Sequence, residues 1–100
     1  MVAQAEPEVV QKIRELAATQ RCRPTRRAKQ DFIVYDVTRY EVLEAICKWI
    51  DADKPVRKDF TKHDPRHHGK PIYIFKPIFH GKVFWVETAM NAIGRLGNCY

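Results

Sequence analysis

The sequence predicts an α+β domain. Apolar residues recur with a period near 3.6 over its first half and near 2 over its second, and a Gly-containing dipeptide punctuates the second half where a hairpin would turn. At 100 residues the chain has the ordinary size of one domain, and one domain over residues 1–100 is expected, with two N-terminal helices packed on a small antiparallel sheet.

The opening helix is read from EPEVVQKIRELAATQ. Pro7 suits a first helical turn, Glu6 and Glu8 complement the positive end of the helix dipole, and Val9, Val10, Ile13, Leu16 and Ala17 fall on one face. RCRPTRRAK follows, with Arg21, Arg23, Arg26, Arg27 and Lys29 and no acid. Broken by Pro24, it reads as a basic loop or a short edge strand, either a solvated connector or a contact for a polyanion. The next stretch, QDFIVYDV, fits a strand or a buried lead-in to the following helix equally well. That second helix starts at TRYE, Thr38 to Glu41, which has the form of a capping box. Val42, Leu43, Ile46, Cys47 and Ile50 make its apolar stripe, with Trp49 at the flank, and Pro55 in DADKP ends it.

From Val56 onward VRKDFTK, PIYIFKPIF and KVFWVETAM read as strands. A two-residue turn at His80-Gly81 pairs Ile78 with Val83, Lys76 with Trp85 and Ile74 with Glu87. Tyr73, Phe75, Phe79, Phe84 and Val86 then share one face, and Ile72, Ile74, Lys76, Val83, Trp85 and Glu87 the other. Pro77 has no N–H to donate and implies a bulge or an edge.

The chain carries 18 Lys and Arg against 12 Asp and Glu, a formal charge of +6 that suits polyanionic partners. Cys22, Cys47 and Cys99 show no CxxC spacing, no run of 18 apolar residues occurs, and the N-terminus lacks signal-peptide character. A soluble cytoplasmic protein with reduced thiols is expected.

Eight of the cations lie between Lys54 and Lys82, against only Asp59 and Asp64. All four histidines, His63, His67, His68 and His80, lie in this region. Metal-free RNA cleavage needs a base for the 2′-hydroxyl, an acid for the leaving oxygen and cations for the phosphorane, roles that His, Lys, Arg and Tyr can fill. Yet Asp, Pro and Gly in DPRHHGKP are also ordinary turn residues. A metal site from His63, Asp64, His67 and His68 would lack the paired-Cys or HExxH spacing of zinc sites, so no metal or other cofactor is expected. Tyr73, Phe75, Phe84 and Trp85 could stack on bases, but alternate strand positions fit Tyr73, Phe75 and Phe84 better to a core, and Trp85 beside Lys76 is open to either role.

The order of an opening helix, TRRA (Thr25 to Ala28), the helix EVLEAICKWI, VRKDFTKH and two strands around a short Gly turn resembles the MqsR family of bacterial toxins, part of the wider RelE-like group of small ribonucleases. The resemblance spans about residues 8 to 88. It implies a RelE-like α+β fold, ribosome-independent cleavage of mRNA as a metal-independent endoribonuclease, and neutralisation by a cognate antitoxin. The family's functional lysine falls on Lys58 in VRKDF. Its functional glutamine falls near Lys70 or Pro71 and is absent, and its functional tyrosine falls on Phe84. A lysine on a last strand has no equivalent, since GNCY barely begins such a strand at Asn98. Catalysis is therefore expected from Lys58, His63, His67, His68 and Tyr73, unless the chain is a shortened or inactive relative. RNA contacts are expected from Arg26, Arg27, Arg57, Lys62, Arg66, Lys70, Lys76, Lys82 and Trp85. The alternative is a non-catalytic nucleic-acid-binding or protein-interaction module, such as an immunity or antitoxin-like partner.

Overall fold

The computed structural model describes residues 3–60 and 71–98. Their elements run β1 (Ala3–Gln4), α1 (Pro7–Ala18), β2 (Arg23–Pro24), α2 (Arg26–Tyr35), α3 (Arg39–Asp51), β3 (Arg57–Phe60), β4 (Pro71–Phe75), β5 (Ile78–Phe79), β6 (Lys82–Thr88) and β7 (Ala92–Asn98). The α+β expectation holds. The sheet order is β1-β3-β4-β6-β7-β2, with β5 pairing β6 off this path. Neighbours are antiparallel except β2 and β7, which run parallel, so the sheet is mixed rather than purely antiparallel as expected.

The described residues form three helices instead of two. TRRAKQDFIVY folds as α2, although its first turn reads as a loop by charge. Thr25 caps it, accepting from the Ala28 N–H at 3.2 Å and donating to the Gly94 carbonyl at 2.8 Å. Of the loop-or-strand reading of RCRPTRRAK, the edge strand forms at Arg23–Pro24, as β2. Asp36 closes α2 in the left-handed region that a short polar side chain tolerates. At α3 the capping box forms: the Glu41 N–H donates to Thr38 Oγ1 and the Thr38 N–H donates to Glu41 Oε1.

The hairpin has the register that its turn dictates, Phe79 with Lys82 and Ile78 with Val83, and His80 and Gly81 both take positive φ. Phe75 pairs with Val86 in the same register, so Pro77 creates no bulge. Pro77 instead interrupts the pairing with β6 between Phe75 and Ile78, because in that register its nitrogen faces Phe84 and has no hydrogen to donate. Its carbonyl still accepts from the Phe84 N–H at 2.9 Å.

The last strand corrects the sequence reading, because β7 begins at Ala92 and Asn98 ends it. A register shift at Glu87/Thr88 lets seven residues with two glycines follow β6. Asp31 of α2 accepts from the Leu96 N–H at 3.0 Å, serving a stretch of β7 that the two residues of β2 do not pair.

All three helices lie on one face. Ile13, Val42, Ile46, Phe32 and Cys22 pack with Tyr73, Phe75, Phe84, Val86, Ile93 and Leu96, the strand positions that alternation assigns inward. Arg14 of α1 clamps Asp51 of α3 with two hydrogen bonds of 2.8 and 3.0 Å. The other face of the sheet has no helix of the described residues on it.

Candidate nucleic-acid interface

Strand alternation builds the open face. The register sets Arg57, Ile74, Glu87 and Arg95 in one row across β3, β4, β6 and β7, and places Trp85 beside Gly97 in the next. Between them lies a concave depression of about 590 Å³, lined by Arg57, Asp59, Ile74, Lys76, Val83, Trp85, Glu87 and Asn98. A second depression of about 490 Å³ shares Arg57, Ile74 and Lys76 with the first and runs on to Gln4, Pro55, Val56 and Trp49. The strip therefore has a tryptophan toward each end, with Arg57 and Lys76 between them alongside the acids Asp59 and Glu87.

Gly97 explains how Trp85 sits. A Cβ at Gly97 would fall 2.1 Å from Cζ2 and 2.3 Å from Cε2 of the indole, so the ring lies flat over the glycine backbone. Any larger residue would lift it. The Arg95 guanidinium carbon is 5.5 Å from the Trp85 ring centroid, within cation–π range. Arg57 is 3.5 Å from Asp59, and Lys54 sits 4.9 Å from the Trp49 ring. A planar aromatic surface bordered by cations suits the two parts of an unpaired nucleotide, base and phosphate.

Of the residues expected to act, Arg57, Lys76 and Trp85 come together on this face. Lys58 and Tyr73 are strand neighbours on the opposite, helix-bearing face. Tyr73 is buried there at 4% exposure, in the core that its alternation fits. The Lys58 ammonium is 2.8 Å from Glu6 Oε1, at the N-cap of α1. That hydrogen bond holds Glu6 below the usual carboxylate range and raises Lys58 above the usual lysine value. Lys82 is exposed at the start of β6. Arg26 and Arg27 belong to α2, whose Tyr35 meets Phe84 edge-on at 5.2 Å and so lies across the sheet from the open face. Arg27 pairs with Asp31 at 3.2 Å. His63, His67, His68, Lys62, Arg66 and Lys70, with Asp64 of the metal reading, lie outside the described residues.

Sequence reasoning missed Glu6, Arg95, Gly97 and Asn98. Gly97 is findable only from the register of β7, which the local pattern does not announce, and Glu6 lies 52 residues from the lysine it holds. Among the described residues no group of three or more His, Cys, Asp or Glu could hold a metal ion, and no helix is long and apolar enough to cross a membrane. No protein-family model, curated protein or solved structure matches the chain.

Proposed function

We propose that the chain binds single-stranded RNA across the open face of the sheet, with Trp85 as the platform on which a base stacks. The observation that carries this reading is the indole laid flat on Gly97 beside Arg95, on the same depression as Arg57 and Lys76. An unpaired base can meet that ring face to face, whereas a base inside a duplex cannot leave its stack without a cost of a few kcal/mol. Cations along the strip would follow the backbone. Binding of an unstructured RNA, read by fluorescence anisotropy, should weaken on Trp85→Ala by about 5- to 150-fold, the equivalent of a stack worth about 1–3 kcal/mol. Arg57→Gln with Lys76→Gln should flatten the dependence of affinity on salt, because fewer counterions are displaced. Duplex RNA bound as tightly as single strands, with Trp85→Ala silent, would sink the proposal.

A second reading is a RelE-like toxin that cleaves mRNA in the cytoplasm and is neutralised by an antitoxin protein. It is favoured by the contact of Lys58 with Glu6 at 2.8 Å beside Tyr73, an ammonium and a carboxylate held together where the resemblance puts a functional lysine. Here Lys58 would steady the phosphorane and Glu6 would move a proton. Growth arrest on expression, with RNA fragments of defined ends that vanish in Lys58→Ala, would select this reading. Harmless expression and intact RNA would leave the binding module alone.

A further inference from the structure

On the helix-bearing side, a groove of about 550 Å³ opens between Gln20, Arg23, Pro24, Lys29, Phe32 and Arg39. Three cations from three different elements, β2, α2 and the first turn of α3, line it, and no acid does. Among the described residues Arg23 and Lys29 have no ion pair. Arg39 donates from Nη2 to the Gln20 carbonyl at 2.6 Å, yet its Nε is buried with no hydrogen-bond partner among the described residues. The guanidinium is thus only partly used by the protein, and its remaining terminal N–H groups are the ones a ligand in the groove can meet. Like charges brought together without counter-charge are unfavourable until an anion arrives.

We propose that this groove is a phosphate-binding pocket. Three separate donors suit the several oxygens of a phosphate better than the two of a carboxylate, which one arginine fork already satisfies. Pro24 and Phe32 add an apolar wall beside the anion, against which a ribose or base can rest. The phosphate belongs to a nucleotide or to a nucleic-acid backbone, and the pocket requires nothing of the open face.

The test follows amide resonances of the full chain during titration with inorganic phosphate and then pyrophosphate. Shifts centred on Gln20, Arg23, Lys29 and Arg39, tighter for pyrophosphate, are expected. Arg23→Gln with Lys29→Gln should raise the dissociation constant at least tenfold and leave melting unchanged, since both side chains are exposed. A short RNA with and without a 5′-phosphate separates the sources: tighter binding of the phosphorylated form assigns a terminal phosphate, and equal binding at these residues assigns the backbone. The proposal is overturned if phosphate leaves these resonances unmoved, if the double variant binds as the parent does, or if an Asp/Glu peptide fills the groove at lower concentration than pyrophosphate.

Discussion

Gly97→Ala tests the open face without touching a charge or the indole itself. The added methyl would sit 2.1 Å from Cζ2, 2.3 Å from Cε2 and 2.8 Å from Nε1 of Trp85, all below any real carbon contact. Either the indole swings away or the β6–β7 ladder opens. The ring lies on a face without a helix and can rotate toward solvent, so the stability loss should fall near the low end of overpacking, about 1 kcal/mol. That corresponds to a drop of roughly 4–8 °C in melting temperature for a domain of this size. RNA affinity should fall much as in Trp85→Ala, by about 5- to 150-fold, because a tilted ring can no longer present its face to a base. Anisotropy gives the affinity, the Trp85 indole N–H resonance reports that the ring has moved, and a thermal melt reports the fold. If that resonance moves, the fold survives and RNA binds as before, then the seating of Trp85 has nothing to do with binding.

Three further outcomes follow from the fold. Asp31→Ala removes the acceptor of the buried Leu96 N–H and should cost about 1–3 kcal/mol in chemical denaturation, while Asp31→Asn keeps an acceptor oxygen and should cost much less. Thr38→Ala removes the side-chain half of the α3 capping box and should destabilise by about 1 kcal/mol. The Glu6–Lys58 pair stabilises the fold between two limits. Glu6 is held low, so its contribution is present above the ordinary glutamate value of about 4.3 and is lost as pH falls through the lowered one. Lys58 is held high, so its contribution is present below about 10.4 and is lost as pH rises through the raised value. Melting temperatures of the parent against Glu6→Gln should converge at both ends of the pH range, and a constant gap would show that the pair is not what stabilises.

What could be read from the sequence was local. His80-Gly81 dictates a turn, the turn dictates the register, and the register places Phe75, Phe84 and Val86 inward and Trp85 outward. Thr38 and Glu41 likewise announce α3 within four residues. α2 escaped because its first turns carry arginine and lysine on an exposed side and its last carry Ile33 and Val34, which face solvent at 82% and 73% exposure and blur the helical stripe. β7 escaped because Gly94 and Gly97 lower its strand propensity, although Gly97 is there for the ring it carries. Partnerships across the chain, Glu6 with Lys58 and Asp31 with Leu96, depend on which strands are neighbours and leave no local pattern.

The position of β7 between β6 and β2 has a kinetic consequence. The helices and β2 are made first, but α2 reaches its anchors, the Gly94 carbonyl and the Leu96 N–H, only across separations of 69 and 65 residues. Closing loops of that length is entropically slow, so the transition state should wait on late contacts rather than on helix formation. During synthesis α2 would carry its apolar face uncovered until β7 emerges. Slow, β7-dependent folding, with substitutions at Ile93 or Leu96 lowering the refolding rate more than those in α1, is the behaviour this topology builds in.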